Sequence, residues 1–188
     1  MPRLFSIEAK VQKALADVEK GRRRRPRLAV FLLKGTTLAV VLAGGIVLLA
    51  SRFSLAIAPQ AALCLPPYRV WLIDKDDTEP VRDEIFAFKS KGLAPVFADG
   101  TNIVKVLKGM PGDKVSVSTA VTMINGSVVG EGLAVAAQYH IDPQRYVRQG
   151  RIEPEHFWFL GRTLDSFDSR YWGSVERSQI FGRAYPIW

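Results

Sequence analysis

Residues 102–113 read NIVKVLKGMPGD, and they decide the fold class of the second half of the chain. The run 103–107 is apolar and β-branched except for Lys105, which is typical of a β-strand. Residues 109–113 then bring two glycines and a proline together in a tight turn. Lys105 has two interpretations. Alternation favours a solvated side chain on the outer face, whereas burial would oppose the charged form and let the amine accept a proton.

Short runs of the same kind lie on both sides of this stretch and are separated by turn residues. Asn125-Gly126 predicts a hairpin, because both residues tolerate positive φ. Residues 133–139 and 143–148 have a weaker pattern that is compatible with helix. The region after Pro59 is therefore predicted to be mainly β, with candidate strands at residues 69–73, 85–88, 103–107, 114–118, 121–124, 127–129, 157–160 and 179–185.

The first half of the chain differs, because residues 28–50 are almost wholly apolar. At roughly 1.5 Å per residue this segment spans about 30 Å of hydrocarbon with some tilt to spare, which predicts a transmembrane helix. A block of lysine and arginine at residues 20–27 adjoins it, and the positive-inside rule then places the N-terminus in the cytoplasm. We predict three segments: a cytoplasmic amphipathic and basic segment 1–27, a single-pass span 28–50 and an external domain 51–188.

Residues 1–21 carry apolar side chains at helical spacing, which predicts a short amphipathic helix that ends near Gly21. This pattern is compatible with a solvated helix that has no binding role and with a helix that lies along the membrane surface.

A cleavable signal peptide is the alternative to an anchor, since Ala56-Ile57-Ala58 resembles a small-residue cleavage site. The basic region begins about twenty residues from the N-terminus, and the apolar core exceeds the usual length of about 7 to 15 residues. Pro59 would also follow the cut and hinder it. The anchor is therefore favoured.

Composition excludes several classes of site. Cys64 is the single cysteine of the chain, so neither a disulfide framework nor a four-cysteine zinc site can form, and His140 and His156 lack ligand spacing. We predict no metal and no cofactor. The net charge of +8 is concentrated before the apolar segment. The orientation of the helix in the membrane already explains the basic residues 20–27, so nucleic acid is not a predicted partner.

Two further places could carry chemistry. Cys64 lies about fourteen residues beyond the apolar span, so at no more than about 3.5 Å per residue it stays near the membrane surface. By itself it has the pattern of a small buried hydrophobe. The loop 164–173, LDSFDSRYWG, is dense in hydroxyls and places an acid beside a base. Without other context it is an ordinary capped turn.

Taken in order, these pieces resemble the signal peptidase family of serine-lysine proteases, and most closely its TraF-type branch. The matching motifs are Cys64-Leu65-Pro66, Lys105 four residues before Gly109-Met110-Pro111-Gly112-Asp113, Ser166-Phe167-Asp168-Ser169-Arg170-Tyr171-Trp172-Gly173, and Gly182-Arg183-Ala184.

The resemblance implies a signal-peptidase-like β domain and a role for each matching residue. Cys64 stands in the nucleophile's place, Lys105 is the general base, and Ser166 supplies the hydroxyl that orients the lysine. Asp168 and Arg170 pair to support the site.

Two departures from the family pattern stand out. The family's nucleophile is serine and this chain has Cys64, whose thiol is intrinsically more nucleophilic and compatible with acyl transfer. Ala62 replaces a hydroxyl residue that in some relatives donates to the oxyanion, which leaves the Cys64 backbone N–H as the candidate donor.

The resulting hypothesis is an endopeptidase of the bacterial inner membrane with its catalytic domain in the periplasm. TraF-type relatives serve conjugative transfer, so the expected substrate is a membrane-inserted pilin precursor. The alternative is a catalytically inactive relative that acts as an assembly factor of a pilus or of a type IV secretion apparatus.

Overall fold

A computed structural model of the chain describes residues 3–58 and 63–187. The chain divides into two compact units, Met1–Leu49 and Ala50–Trp188. The first unit is helical, and the second unit contains all the strands described below.

The first unit belongs to one helix, α1, which runs from Arg3 to Arg52. Its part Leu28–Arg52 has a mean hydropathy of 2.1 and 25 residues, so at about 1.5 Å per residue it is long enough to cross a bilayer core. The hydroxyls of Thr36 and Thr37 donate to carbonyls one turn earlier, which satisfies them without water. This helix fits a single-pass membrane anchor.

The predicted end of a short helix near Gly21 was wrong, because α1 continues through that residue. A lone glycine costs only about 1 kcal/mol in a helix interior. The residues after it are arginines, which have a high helix propensity. One glycine therefore does not end this helix.

The second unit is built from two antiparallel sheets. The larger sheet has the strand order β1-β2-β11-β3-β4-β9-β10, and the smaller one β7-β6-β5-β8. The strands are β1 Phe53–Ile57, β2 Val70–Asp74, β3 Ile85–Lys89, β4 Asn102–Gly109, β5 Lys114–Val117, β6 Val121–Ile124, β7 Ser127–Glu131, β8 Arg148–Arg151, β9 His156–Leu160, β10 Val175–Glu176 and β11 Ile180–Pro186. The prediction of a mainly β domain after one apolar helix is confirmed.

Three strands were not predicted, and each lacks a signal for a physical reason. β1 directly follows the apolar helix and reads as its continuation. β8 has the sequence RQGR, without an apolar face, and is held by backbone pairing with β5. β10 has only two residues.

The position of β1 bears on the signal-peptide alternative. Ala56 and Ile57, which belong to the candidate cleavage site, are residues of β1 and pair with β2. A cut after Ala58 would remove a strand of the folded sheet. This favours the anchor.

The turns and short helices that connect the strands agree with the sequence patterns described above. Asn125 and Gly126 have φ of 52° and 84° in the hairpin between β6 and β7, as predicted. In the turn after β4, Gly112 has a φ of 86° and the Met110 N–H donates to the Asp113 carboxylate at 2.7 Å. The weakly patterned segments form the helix α2, Ala134–Gln138, and a 3-10 turn, Pro143–Tyr146, while a second short helix, α3, spans Ser169–Trp172.

The strand that carries Lys105 lies inside the larger sheet, and both of its faces are covered. β4 has β3 on one side and β9 on the other. Ile103 and Leu107 pack in one cluster with two phenylalanines of β3 and two of β9, namely Phe86, Phe88, Phe157 and Phe159. Val106 packs on the opposite face with Trp71 and Ile73. A side chain in the middle of this strand therefore has no solvated face to occupy.

Candidate active site

Lys105 is buried, with 3% of its surface exposed. Across the β3–β4 ladder it lies opposite Phe86, which is fully buried. The outward interpretation that alternation favoured is wrong, because alternation assumes one solvated face and β4 has none. The amine of Lys105 therefore has little contact with water.

The nearest partner of this amine is a serine from a distant part of the chain. Lys105 Nζ lies 2.8 Å from Ser166 Oγ and donates to it. Ser166 is fully buried in the loop between β9 and α3. The flexible four-carbon stem of a lysine can sample several rotamers, and a hydrogen bond of this kind favours one of them. Orientation of Lys105 by Ser166 remains a prediction.

Cys64 lies on the approach to β2 and is a free, half-buried thiol. Its carbonyl accepts a hydrogen bond from the Arg162 N–H at 2.7 Å, and its neighbour Leu65 is buried in the core beside Trp71. These two attachments place the segment against the loop that carries Ser166. Cys64 and Lys105 line one cleft of about 340 Å³.

Gly161 lies where these segments meet, directly after β9. A Cβ atom at this position would lie 2.1 Å from Ser166 Oγ and 3.0 Å from the Cys64 carbonyl oxygen. Sequence reasoning missed this residue. Its signal was a glycine directly after an apolar strand, a position that often marks a close approach of other atoms.

Asp168 and Arg170, to which the resemblance assigned support of the site, form an ion pair. Arg170 Nε donates to Asp168 Oδ1 at 2.8 Å and Nη2 donates to Oδ2 at 2.9 Å, and both side chains are almost completely buried. Arg170 also donates to the Ser166 carbonyl, and Asp168 accepts from the Gly161 N–H. The pair therefore ties together both ends of the loop that carries the serine.

The charge state of this pair follows from its surroundings. Burial by itself would lower the pKa of Arg170, but the hydrogen bond and the charge of Asp168 outweigh it and raise that pKa above its ordinary value. Tyr171 and Cys64 contribute in the same direction. The guanidinium stays charged and can hold the loop under all ordinary conditions.

The cleft has mostly apolar walls and two strand edges. Ala56 and Ile57 of β1 line one side, and residues 101–105 line the other. β9 pairs with β4 only at Val106 and beyond, so among the described residues no strand pairs with 102–105 on that side. Open edges of this kind accept an extended peptide by backbone hydrogen bonds.

Two further predictions concern the oxyanion position and the absence of a metal site. Ala62, the departure at the oxyanion position, lies outside the described residues. Within residues 3–58 and 63–187, no group of three His, Cys, Asp or Glu side chains could hold a metal ion.

Comparison with known proteins gives a match to a family, and the similar proteins include a curated relative and a solved structure. Residues 31–188 match the family model of signal peptidase, peptidase S26. "Probable signal peptidase I-2" from Synechocystis sp. is 29% identical over 109 residues, which cover 57% of this chain and 47% of that protein. The chain thus spans about half the length of this curated relative. A crystal structure of a signal peptidase I from Enterococcus faecalis V583 matches at 25% identity with a TM-score of 0.36, covering 56% of this chain and 96% of that one.

Proposed function

The chain belongs to the signal peptidase family, peptidase S26, and from that premise we propose that it is a membrane-anchored endopeptidase with Cys64 as nucleophile and Lys105 as general base. The observation that carries the proposal is the buried Lys105 amine, bonded to Ser166 in a cleft that Cys64 also lines. Burial of a lysine costs free energy, which makes a buried lysine in a cleft a candidate functional residue. Its proposed task is to remove the proton of the Cys64 thiol, which lines the same cleft.

The proposed reaction has two steps. Lys105 takes the proton of the Cys64 thiol, and the thiolate attacks the carbonyl carbon of the scissile peptide bond. Collapse of the tetrahedral intermediate breaks the C–N bond, the departing amine receives the proton from Lys105, and a thioester remains on Cys64. Water attacks this thioester with Lys105 again as base, which releases the acid and restores the thiol.

Other groups support these steps. Ser166 holds the amine in place through its 2.8 Å hydrogen bond, and Asp168 with Arg170 holds the serine loop. The Cys64 backbone N–H donates to none of the described residues and is the candidate donor to the oxyanion. Lys105 and Ser166 are thus held by hydrogen bonds within the protein itself, and groups positioned in this way need little rearrangement when the substrate binds.

The proposed substrate is a membrane-inserted preprotein. Its cleaved segment would lie extended in the cleft and pair with the open edge of β4 at residues 102–105. The basic block before the apolar helix supports a cytoplasmic N-terminus and a periplasmic catalytic domain at a bacterial inner membrane. The resemblance to TraF-type proteins makes a conjugative pilin precursor the first candidate.

An inactive assembly factor is the second candidate. The observation that favours it is the thiol at a position where the family has a serine. It predicts that Cys64 reacts slowly with alkylating agents and that no precursor is cut. Selective alkylation of Cys64 by iodoacetamide, together with loss of processing, would exclude this alternative.

The deciding experiment expresses the full chain with a candidate pilin precursor and measures the masses of the products. Cys64→Ala and Lys105→Ala should each abolish cleavage while the protein still inserts and folds. Lys108→Ala is the matched control, because Lys108 belongs to the same strand but pairs with Asp83 at the surface. Cleavage by the Cys64→Ala variant at the parent rate would contradict the proposal.

A further inference from the structure

The cleft contains a carboxylate that the reaction described above does not use. Asp165 lines the cleft and is exposed. Most carboxylates of this domain bond a cation or a backbone N–H, as Asp74, Asp113 and Asp168 do. No hydrogen bond or ion pair joins the Asp165 carboxylate to any described residue, that is, within 3–58 and 63–187.

The surroundings of Asp165 make its charge more effective than that of an ordinary surface acid. Among the residues that line the cleft, Lys105 is the single other Lys, Arg, Asp or Glu, and its amine already donates to Ser166. The nearby walls are apolar and include Phe167 and Phe97, whose ring centroids are 6.0 Å apart. A peptide that fills this cleft displaces water, so the charge of Asp165 is screened less than at an open surface.

The position of Asp165 in the chain limits which part of a substrate it can meet. It directly precedes Ser166, so the two Cα atoms are about 3.8 Å apart. Ser166 in turn contacts the amine of Lys105. Asp165 thus adjoins the serine that contacts the proposed base, and it lines the same cleft as Lys105 and Cys64. The substrate side chains expected to reach it are those close to the scissile bond.

We propose that Asp165 is a specificity-determining residue that selects substrates with a Lys or Arg side chain close to the cleaved bond. The proposal rests on the peptidase function proposed above. Asp165 makes an ion pair with the bound substrate and does not touch the reacting atoms. Its contribution is present in the bound substrate and in the transition state alike, so it lowers KM and leaves kcat nearly unchanged.

The test uses the full-length protein in detergent micelles with a pooled library of synthetic peptides, and mass spectrometry to identify the cleaved sequences. Lys and Arg should be enriched near the cut, and Asp and Glu depleted. Peptides that differ only by Lys, Gln or Glu at the enriched position should then differ in kcat/KM by about two- to fivefold per charge step, the range that a single exposed ion pair supports. The preference should decrease at high salt.

Variants of Asp165 separate a charge effect from a structural one. Asp165→Asn should remove the preference, Asp165→Lys should invert it, and Asp165→Glu should keep it. Glu153→Gln is the matched control, since Glu153 is an exposed acid that does not line the cleft. A merely structural role would lower kcat equally for all three peptides.

Two results would overturn the inference in different ways. If the parent protein cuts the library without regard to charge, or if the preference persists in Asp165→Asn, Asp165 does not select substrates and the peptidase function stands. If the parent protein cuts no peptide and no precursor while Lys105 and Ser166 are intact, the proposed function fails and this inference fails with it.

Discussion

Gly161→Ala should inactivate the site while leaving the fold intact, because the added methyl group occupies the space of the Ser166 side chain. In the structure, an ideal Cβ at residue 161 lies 2.1 Å from Ser166 Oγ and 2.5 Å from Ser166 Cβ. Non-bonded carbon atoms prefer separations of about 3.5–4.0 Å. The serine must therefore move by about 1 Å, and the nearby Cys64 carbonyl, 3.0 Å from the same Cβ, limits where the methyl group can go instead.

The size of the effect follows from the contact that this movement breaks. Ser166 Oγ lies 2.8 Å from Lys105 Nζ, and a shift of about 1 Å takes the pair beyond hydrogen-bond distance. Misplacement of a catalytic group by about 1 Å costs on the order of 100-fold in rate. We therefore expect kcat/KM to fall about 100-fold, mainly through kcat. Overpacking should also lower the free energy of unfolding by about 1–3 kcal/mol.

The assay compares kcat/KM for precursor cleavage and the unfolding midpoint across four proteins: parent, Gly161→Ala, Ser166→Ala and the double variant. If Gly161 acts through the Ser166 hydroxyl, the double variant should be little worse than Ser166→Ala alone. Gly150→Ala is the control, since a Cβ there meets no atom within 4 Å. Activity of Gly161→Ala within twofold of the parent, or a fully additive double variant, would refute the reasoning.

Three further changes test the support of the site and the fold. Arg170→Met leaves the fully buried Asp168 carboxylate without its charged partner. The free energy of unfolding, measured by chemical denaturation, should therefore fall by about 3–5 kcal/mol. A loss below about 1 kcal/mol would show that the ion pair is dispensable. Burial would raise the pKa of Asp113, but hydrogen bonds, including one from Arg82, outweigh this effect and hold the pKa below its usual 3.8. The contribution of the Asp113 carboxylate to stability is therefore complete above pH 3.8. It is lost as the pH falls through the lower pKa that Asp113 has in the folded protein. Asp113→Asn should therefore flatten the stability curve on the acid side, and an unchanged curve would count against this linkage. Gly126→Ala forces an alanine into a φ of 84° and should cost about 1 kcal/mol, measured by the unfolding midpoint, unless the hairpin relaxes to another turn.

Many of the strands could be predicted, because their local patterns are strong. The run 121–124 coincides with β6, and the bounds of the other predicted strands agree with the structure within one residue, except that β4 and β7 each end two residues later than predicted. Of the missed strands, β1 is apolar but reads as part of the preceding helix, whereas β8 and β10 are held by pairing with their neighbours. β8, for example, has no apolar residue and exists because β5 offers it a backbone partner.

The sequence predicted which residues belong to the candidate site but not how they are arranged in space. The motif resemblance named Cys64, Lys105, Ser166, Asp168 and Arg170, and their catalytic roles remain predictions. The structure adds the 2.8 Å contact between Lys105 and Ser166, the cleft that Cys64 shares, and the residues Gly161 and Asp165, which no assignment had included.

The amino-acid sequence by itself determined the apolar helix, the β character of the following domain and the identity of the chemically capable residues, because each depends on side chains close together along the chain. Only the tertiary structure decided whether Lys105 is solvated or buried. Alternation along a strand shows only that the strand has two faces. The segments that cover each face are distant in the sequence, and here they are β3, β9 and the loop that carries Ser166. Burial of the amine is thus a property of the packed sheet, and the chemistry proposed for it depends on that packing.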